Sequence, residues 1–218
     1  MDHQFELELD GLQQKLLRMA KLADNAVCQS VRALVERDCD LAERVLVEDE
    51  PLDHFEMEID ELTIMLLTKA PLASDLRLIP VAMKISQNLE RIGDEATKIA
   101  KRARDLSKEP AIRIDFDFNR LAAMTIEMIR NVVEAFARRD GATARDIIPR
   151  DKAVDALNKE IHELLARQMT GFPETVERCL HWMVAVKSLE RIADHAKNIA
   201  EEVVYLCEAQ DIRHTLKR

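Results

Sequence analysis

The stretch 188-SLERIADHAKNIAEEV-203 restates, a hundred residues on, the phrase 88-NLERIGDEATKIAKRA-103. Between residues 90–100 and 190–200, seven of eleven positions are identical. In both copies the apolar residues recur three and four apart, the spacing of an amphipathic helix. Each copy also sets a glutamate and an aspartate four residues apart, Glu90/Asp94 and Glu190/Asp194. Like charges one turn apart cost an isolated helix roughly 0.2–0.5 kcal/mol, so something must offset the pairs or the fold must tolerate them.

The repeat extends upstream. An offset of 102 places Asp38 on Asp140, Ala42 on Ala144, Val45 on Ile147, Asp49 on Asp151 and Asp53 on Asp155. The offset then falls to 100, so the second copy is two residues shorter before its last helix. Helical periodicity predicts helices over about 5–37, 39–68, 74–106, 119–138, 140–168 and 174–209. Pro51 and Pro149 fall inside the second and fifth of these, which predicts a kink or restart at each. The breaks are Lys69–Asp75 and Thr170–Glu174. Ser107–Phe118, with Pro110 and no helical stripe, is the linker. The expected fold is therefore all-α: two tandem, pseudo-symmetric, antiparallel three-helix bundles of six long helices. The units are 1–107 and 119–218, joined by 108–118. Long helices of about 45–55 Å at 1.5 Å per residue make an elongated molecule the expectation, with the residues after 209 fraying.

Composition agrees. The 218 residues are 47% hydrophobic, with only 4 Gly and 6 Pro, which favours helices and allows a substantial aliphatic core. A net charge of −9 argues against general nucleic-acid binding, where phosphate neutralisation supplies most of the affinity. The first ten residues carry four acids and no apolar run, so neither a secretory leader nor membrane insertion is expected, and the expected location is cytoplasmic. The four cysteines lack CxxC spacing and read as reduced thiols. There is no Gly-rich phosphate loop, GxSxG or HExxH, so no enzymatic activity is expected. A metal-dependent hydrolase would have carboxylates here but no evident base. Trp182 and Tyr205 read as core or interface anchors.

The candidate site is the set of duplicated acid pairs Asp49/Asp53, Glu90/Asp94, Asp151/Asp155 and Glu190/Asp194. Frequency alone says little: with 41 acids, about seven or eight such pairs arise by chance, and the chain has nine. Placement carries the signal, because these four recur at equivalent positions in both units. The first unit extends the stripe through Glu56 and Asp60, where the second has Asn158 and His162. One reading is a solvated face, with Arg91 and Arg191 neutralising their neighbours. The other is one metal site per bundle, two helices each supplying a carboxylate pair. Oxygen donors suit hard ions such as Mg²⁺, Mn²⁺, Ca²⁺ or iron. A ferritin-type di-iron core needs Glu-x-x-His pairs, and none occurs here. His195, directly after Asp194, points about 100° away from it on a helix and reads as a core-edge residue.

The segments 75-DLRLI-79, 88-NLERIGDEATKIA-100 and 188-SLERIADHAKNIAEEVVYL-206, with the six-helix duplication, resemble the PhoU family of bacterial phosphate-signalling regulators over about 5–209. The resemblance implies multinuclear metal binding through E(D)xxxD motifs, which match the four pairs, with iron, zinc, magnesium or manganese as the ion. It implies a nonenzymatic adaptor, a homodimer, that links the ATPase subunit of a phosphate ABC transporter to a membrane histidine kinase and restrains the phosphate-starvation response. The alternative is a helical scaffold without functional metal sites. Glu95 and Lys98 stand where the second unit has His195 and Asn198, so the resemblance leaves room for two unequal sites.

Overall fold

The computed structural model describes residues 3–47, 50–69, 73–112 and 116–213. Its helices are α1 (His3–Glu36), α2 (Cys39–Val47), α3 (Glu50–Thr68), α4 (Ala73–Ser107), α5 (Phe118–Arg138), α6 (Gly141–Ile147), α7 (Asp151–Gly171) and α8 (Val176–Glu208). Single 3₁₀ turns at Ile148–Arg150 and Pro173–Thr175 lead into α7 and α8. No strand occurs among the described residues. The six predicted helices are present, with the second and fifth each divided. Pro149 has no N–H to donate and crowds the carbonyl four residues back, so α6 stops at Ile147 and α7 restarts at Asp151. Pro51 is accommodated in the first turn of α3, where its missing donor costs nothing. Residues 70–72 of the first expected break and 113–115 of the linker lie outside the described residues, as do 214–218 of the expected fraying end.

The duplication is visible in the turns. Arg37 and Arg139, 102 residues apart, both adopt left-handed backbone, at φ 57° and 52°. The aspartate after each caps the next helix: Asp38 Oδ1 accepts from Leu41 N at 2.9 Å, and Asp140 Oδ1 from Thr143 N at 3.0 Å. A side-chain oxygen there satisfies a backbone donor that has no partner within the helix.

In each half the third long helix is central: α4 packs on α1, α2 and α3, and α8 on α5, α6 and α7. The two halves meet where α4 lies along α8. Lys84 pairs with Glu202 at 3.1 Å, Asn88 with His195 at 2.9 Å, Glu95 with Arg191 at 3.2 Å, and Arg102 with His181 at 3.0 Å. Rising numbers on α4 meet falling numbers on α8, so the helices run antiparallel. The register centres on Ile92 opposite Ile192, both fully buried. Nearby, Leu16 and Ala20 of α1, Ile85 and Leu89 of α4, Val133 and Phe136 of α5, and Ile199 of α8 surround a void of only about 10 Å³. The halves therefore share one close-packed core. Trp182 of α8 stacks edge-on against Phe116 and Phe118, with centroids 5.0 and 5.1 Å away, and pins the chain entering α5. Among the described residues no helix is long and apolar enough to cross a membrane.

Candidate metal centres on two acidic helix faces

In the first half, Asp53 and Glu56 of α3 face Glu90 and Asp94 of α4. Asp49 lies outside the described residues. The Glu90 side chain is only 14% exposed. Burial pushes its pKa up to about 7; Asp94, Glu56 and Asp53 add to the rise and Arg91 opposes it. Burial also raises the Glu56 carboxyl, with Asp60 adding to it. Through these mutual effects the carboxylates of the two helices disfavour one another's charge. Arg91 leans over the pair, 3.3 Å from Glu90 and 3.2 Å from Asp94, but its side chain is 62% exposed.

In the second half, Asp151 and Asp155 of α7 face Glu190 and Asp194 of α8. Asp151 is buried, and that burial raises its pKa, with Asp194 and Asp155 adding to the rise and Lys197 opposing it. Burial, then Glu190 and Asp194, raise Asp155. A lysine bridges this face. Lys197 Nζ lies 2.5 Å from Asp151 Oδ2 on α7 and 3.0 Å from Asp194 Oδ1 on its own helix. Burial disfavours its charge, but the hydrogen bonds to Asp151 and Asp194 outweigh that and hold its pKa well above the ordinary lysine range. Lys187 pairs with Glu190 at 2.6 Å.

The expectation that Arg91 and Arg191 neutralise equivalent neighbours is met only in the first half. Arg191 reaches across the seam to Glu95. Glu95 is almost fully buried. Its burial favours the neutral acid, yet hydrogen bonds from Lys98, Ser188 and Arg191 prevail and keep its pKa low. The pseudo-symmetric position is His195, which offers no carboxylate. It is half-buried and donates from Nδ1 to Asn88 Oδ1 at 2.9 Å, as a core-edge residue should. One Glu/His difference thus draws Arg191 off the second face and leaves Arg91 on the first.

Among the described residues, no three His, Cys, Asp or Glu side chains converge tightly enough to hold a metal ion in the present side-chain arrangement. The donor set nonetheless suits a hard cation. Three buried oxygens on α3 and α7, Asp60 Oδ1, Asp151 Oδ1 and Asn158 Oδ1, have no hydrogen-bond partner, and such atoms are costly unless something binds them. Sequence reasoning placed Glu56 on the acidic stripe without assigning it to the site, and it missed Lys197. The signal for Lys197 was its place three residues after Asp194, opposite Thr97 in the first copy.

The fold and its two faces define a class: a helical protein of duplicated three-helix units, each with a carboxylate-rich face between its second and third long helices. The PhoU domain matches residues 16–103 and 118–203. A Pseudomonas putida protein named phosphate-specific transport system accessory protein PhoU homolog is 40% identical, covering 100% of this chain and 86% of that one. The crystal structure of PhoU from Pseudomonas aeruginosa superposes with a TM-score of 0.92 at 37% identity, covering 94% of this chain and 100% of that one. The phosphate transport system regulatory protein PhoU from Streptococcus pneumoniae gives 0.88 at 25% identity, covering 95% and 99%. The chain belongs to the PhoU family.

Proposed function

We propose that this protein is a regulatory accessory component of phosphate transport, a negative regulator of the phosphate-starvation response whose acidic faces bind metal. The observation that carries this reading is the match of both halves to the PhoU domain, together with full-length relatives named as accessory proteins of phosphate-specific transport. It acts by docking rather than by catalysis. Its partners are the ATPase subunit of a phosphate ABC transporter and the cytoplasmic PAS-like region of a membrane histidine kinase. It works in the cytoplasm as a homodimer. Deleting the gene in the source cell is expected to switch on phosphate-starvation genes in phosphate-rich medium, read with a transcriptional reporter. Expression that stays at the wild-type level would count against the regulatory role.

The metal is iron, zinc, magnesium or manganese, held by Asp53, Glu90 and Asp94, with Asp49, in the first half and by Asp151, Asp155, Glu190 and Asp194 in the second. A bound cation supplies positive charge between helices whose own charges repel. The crowding that raises Glu90 supports this reading. Elemental analysis of protein reconstituted with iron(II) or Mn²⁺ should find metal, and Glu90→Gln with Asp94→Asn should lose the share held by the first half. The open side-chain arrangement favours the second reading, a helical scaffold without functional metal sites. Protein that stays metal-free after exhaustive reconstitution would establish that alternative.

A further inference from the structure

Two halves built from one repeat neutralise their acidic faces by different means. On the first, the counter-charge is Arg91, mostly exposed and paired with Glu90 and Asp94 of its own helix. On the second, the Lys197 ammonium is inserted between α7 and α8, bound at once to buried Asp151 and to Asp194. Its side chain is 26% exposed, against 62% for Arg91. The first half has Thr97 at that position, and its hydroxyl bonds back to the Asp94 carbonyl at 2.8 Å. A metal ion arriving at the first face displaces a solvated guanidinium, which surface ion pairs surrender cheaply. At the second face it must expel a tethered cation whose own partner, Asp151, is buried, and breaking such a pair is strongly unfavourable.

We propose that Lys197 is a built-in counter-ion that stands in for the metal on the second face, so that the two halves of this protein are unequal and the first is its metal site. This rests on the metal-binding reading above and adds which half acts on it. With Arg191 drawn to Glu95, Lys187 covers Glu190 and leaves the Asp151/Asp194 end of the face to a second cation. Lys197 is that cation, supplied within the second half itself.

The test is Mn²⁺ binding to chelator-treated full-length protein, followed by equilibrium dialysis with elemental analysis. Wild type should show tight binding that Glu90→Gln with Asp94→Asn removes and Asp151→Asn leaves intact. Lys197→Met should tighten binding at the second face by about tenfold or more, since a competing unit charge a few ångströms away is gone. Adding Asp151→Asn should cancel that gain. Thr97→Lys should weaken the first face by a similar factor. A metal-free arm guards against misfolding: in EDTA, Lys197→Met should melt below wild type and Lys197→Arg should recover most of the loss. Equal binding at both faces, unmoved by Lys197→Met, would overturn the proposal while leaving the metal reading in place. No Mn²⁺ bound by any variant would overturn both. Unchanged melting of Lys197→Met in EDTA would overturn the counter-ion role itself.

Discussion

Ile92→Ala will lower stability by about 2–5 kcal/mol, the range for deleting a fully buried branched side chain without collapse of the site. Trp182 fluorescence will register that loss although the tryptophan lies in the other half. Ile92 is fully buried on α4, facing Ile192 at the centre of the antiparallel seam. Along the same seam, side chains of α1, α4, α5 and α8 close around one small void, so the core has no boundary at which one bundle could release the other. The chain holds a single tryptophan, packed on Phe116 and Phe118, which makes it a clean reporter of the second half. In urea, fluorescence and far-UV circular dichroism should move together to a lower midpoint. Two bundles that fold independently would instead leave the tryptophan transition at its wild-type position while the dichroism became biphasic. Ile192→Ala should behave the same way, as the pseudo-symmetry requires.

The helices, their order and the breaks at Pro51 and Pro149 were legible because they follow from local chemistry: apolar spacing and missing donors. The recurrence of the carboxylate pairs on two helices of each unit was legible from the duplication, since a repeated unit repeats its faces. The way the halves join was not. The same apolar stripe on α4 serves α1 and α3 on one side and α8 on another, and spacing cannot divide a stripe among neighbours. The fates of the arginines were hidden for a related reason. Arg91 and Arg191 share the local phrase Leu-Glu-Arg-Ile, and only the seam brings Glu95 within 3.2 Å of Arg191. Lys197 looks like a surface lysine on a polar helix face. Its meaning appears only when α7 places buried Asp151 beside it.

On the proposed metal reading, affinity at the first face will fall about tenfold for each pH unit below 7, because a ligand carboxylate must lose its proton before it can bind. The group responsible is Glu90, raised from an ordinary 4.5 to about 7 by burial and by the carboxylates around it. The same shift fixes the sign of the stability dependence without metal. Between pH 4.5 and 7 the native state holds a proton that the unfolded chain has released, so stability falls as pH rises through that window. Glu90→Gln removes the penalty. In EDTA it should stabilise the protein at pH 8 by about 1 kcal/mol, a figure reduced for solvent screening of a partly exposed group. The gain should shrink as pH falls and vanish below 4.5, where both states of the wild type are protonated. Urea midpoints at pH 5, 6, 7 and 8 would show this as a gap between variant and wild type that opens with pH. A gap of constant size would mean that Glu90 titrates alike in both states and that its neighbours do not repel it. Saturating Mn²⁺ should reverse the order at pH 8: the wild type then gains stability in proportion to the logarithm of metal concentration, while the variant has lost a ligand and gains little. The glutamate that weakens the empty fold is thus the one that would tie the ion to it.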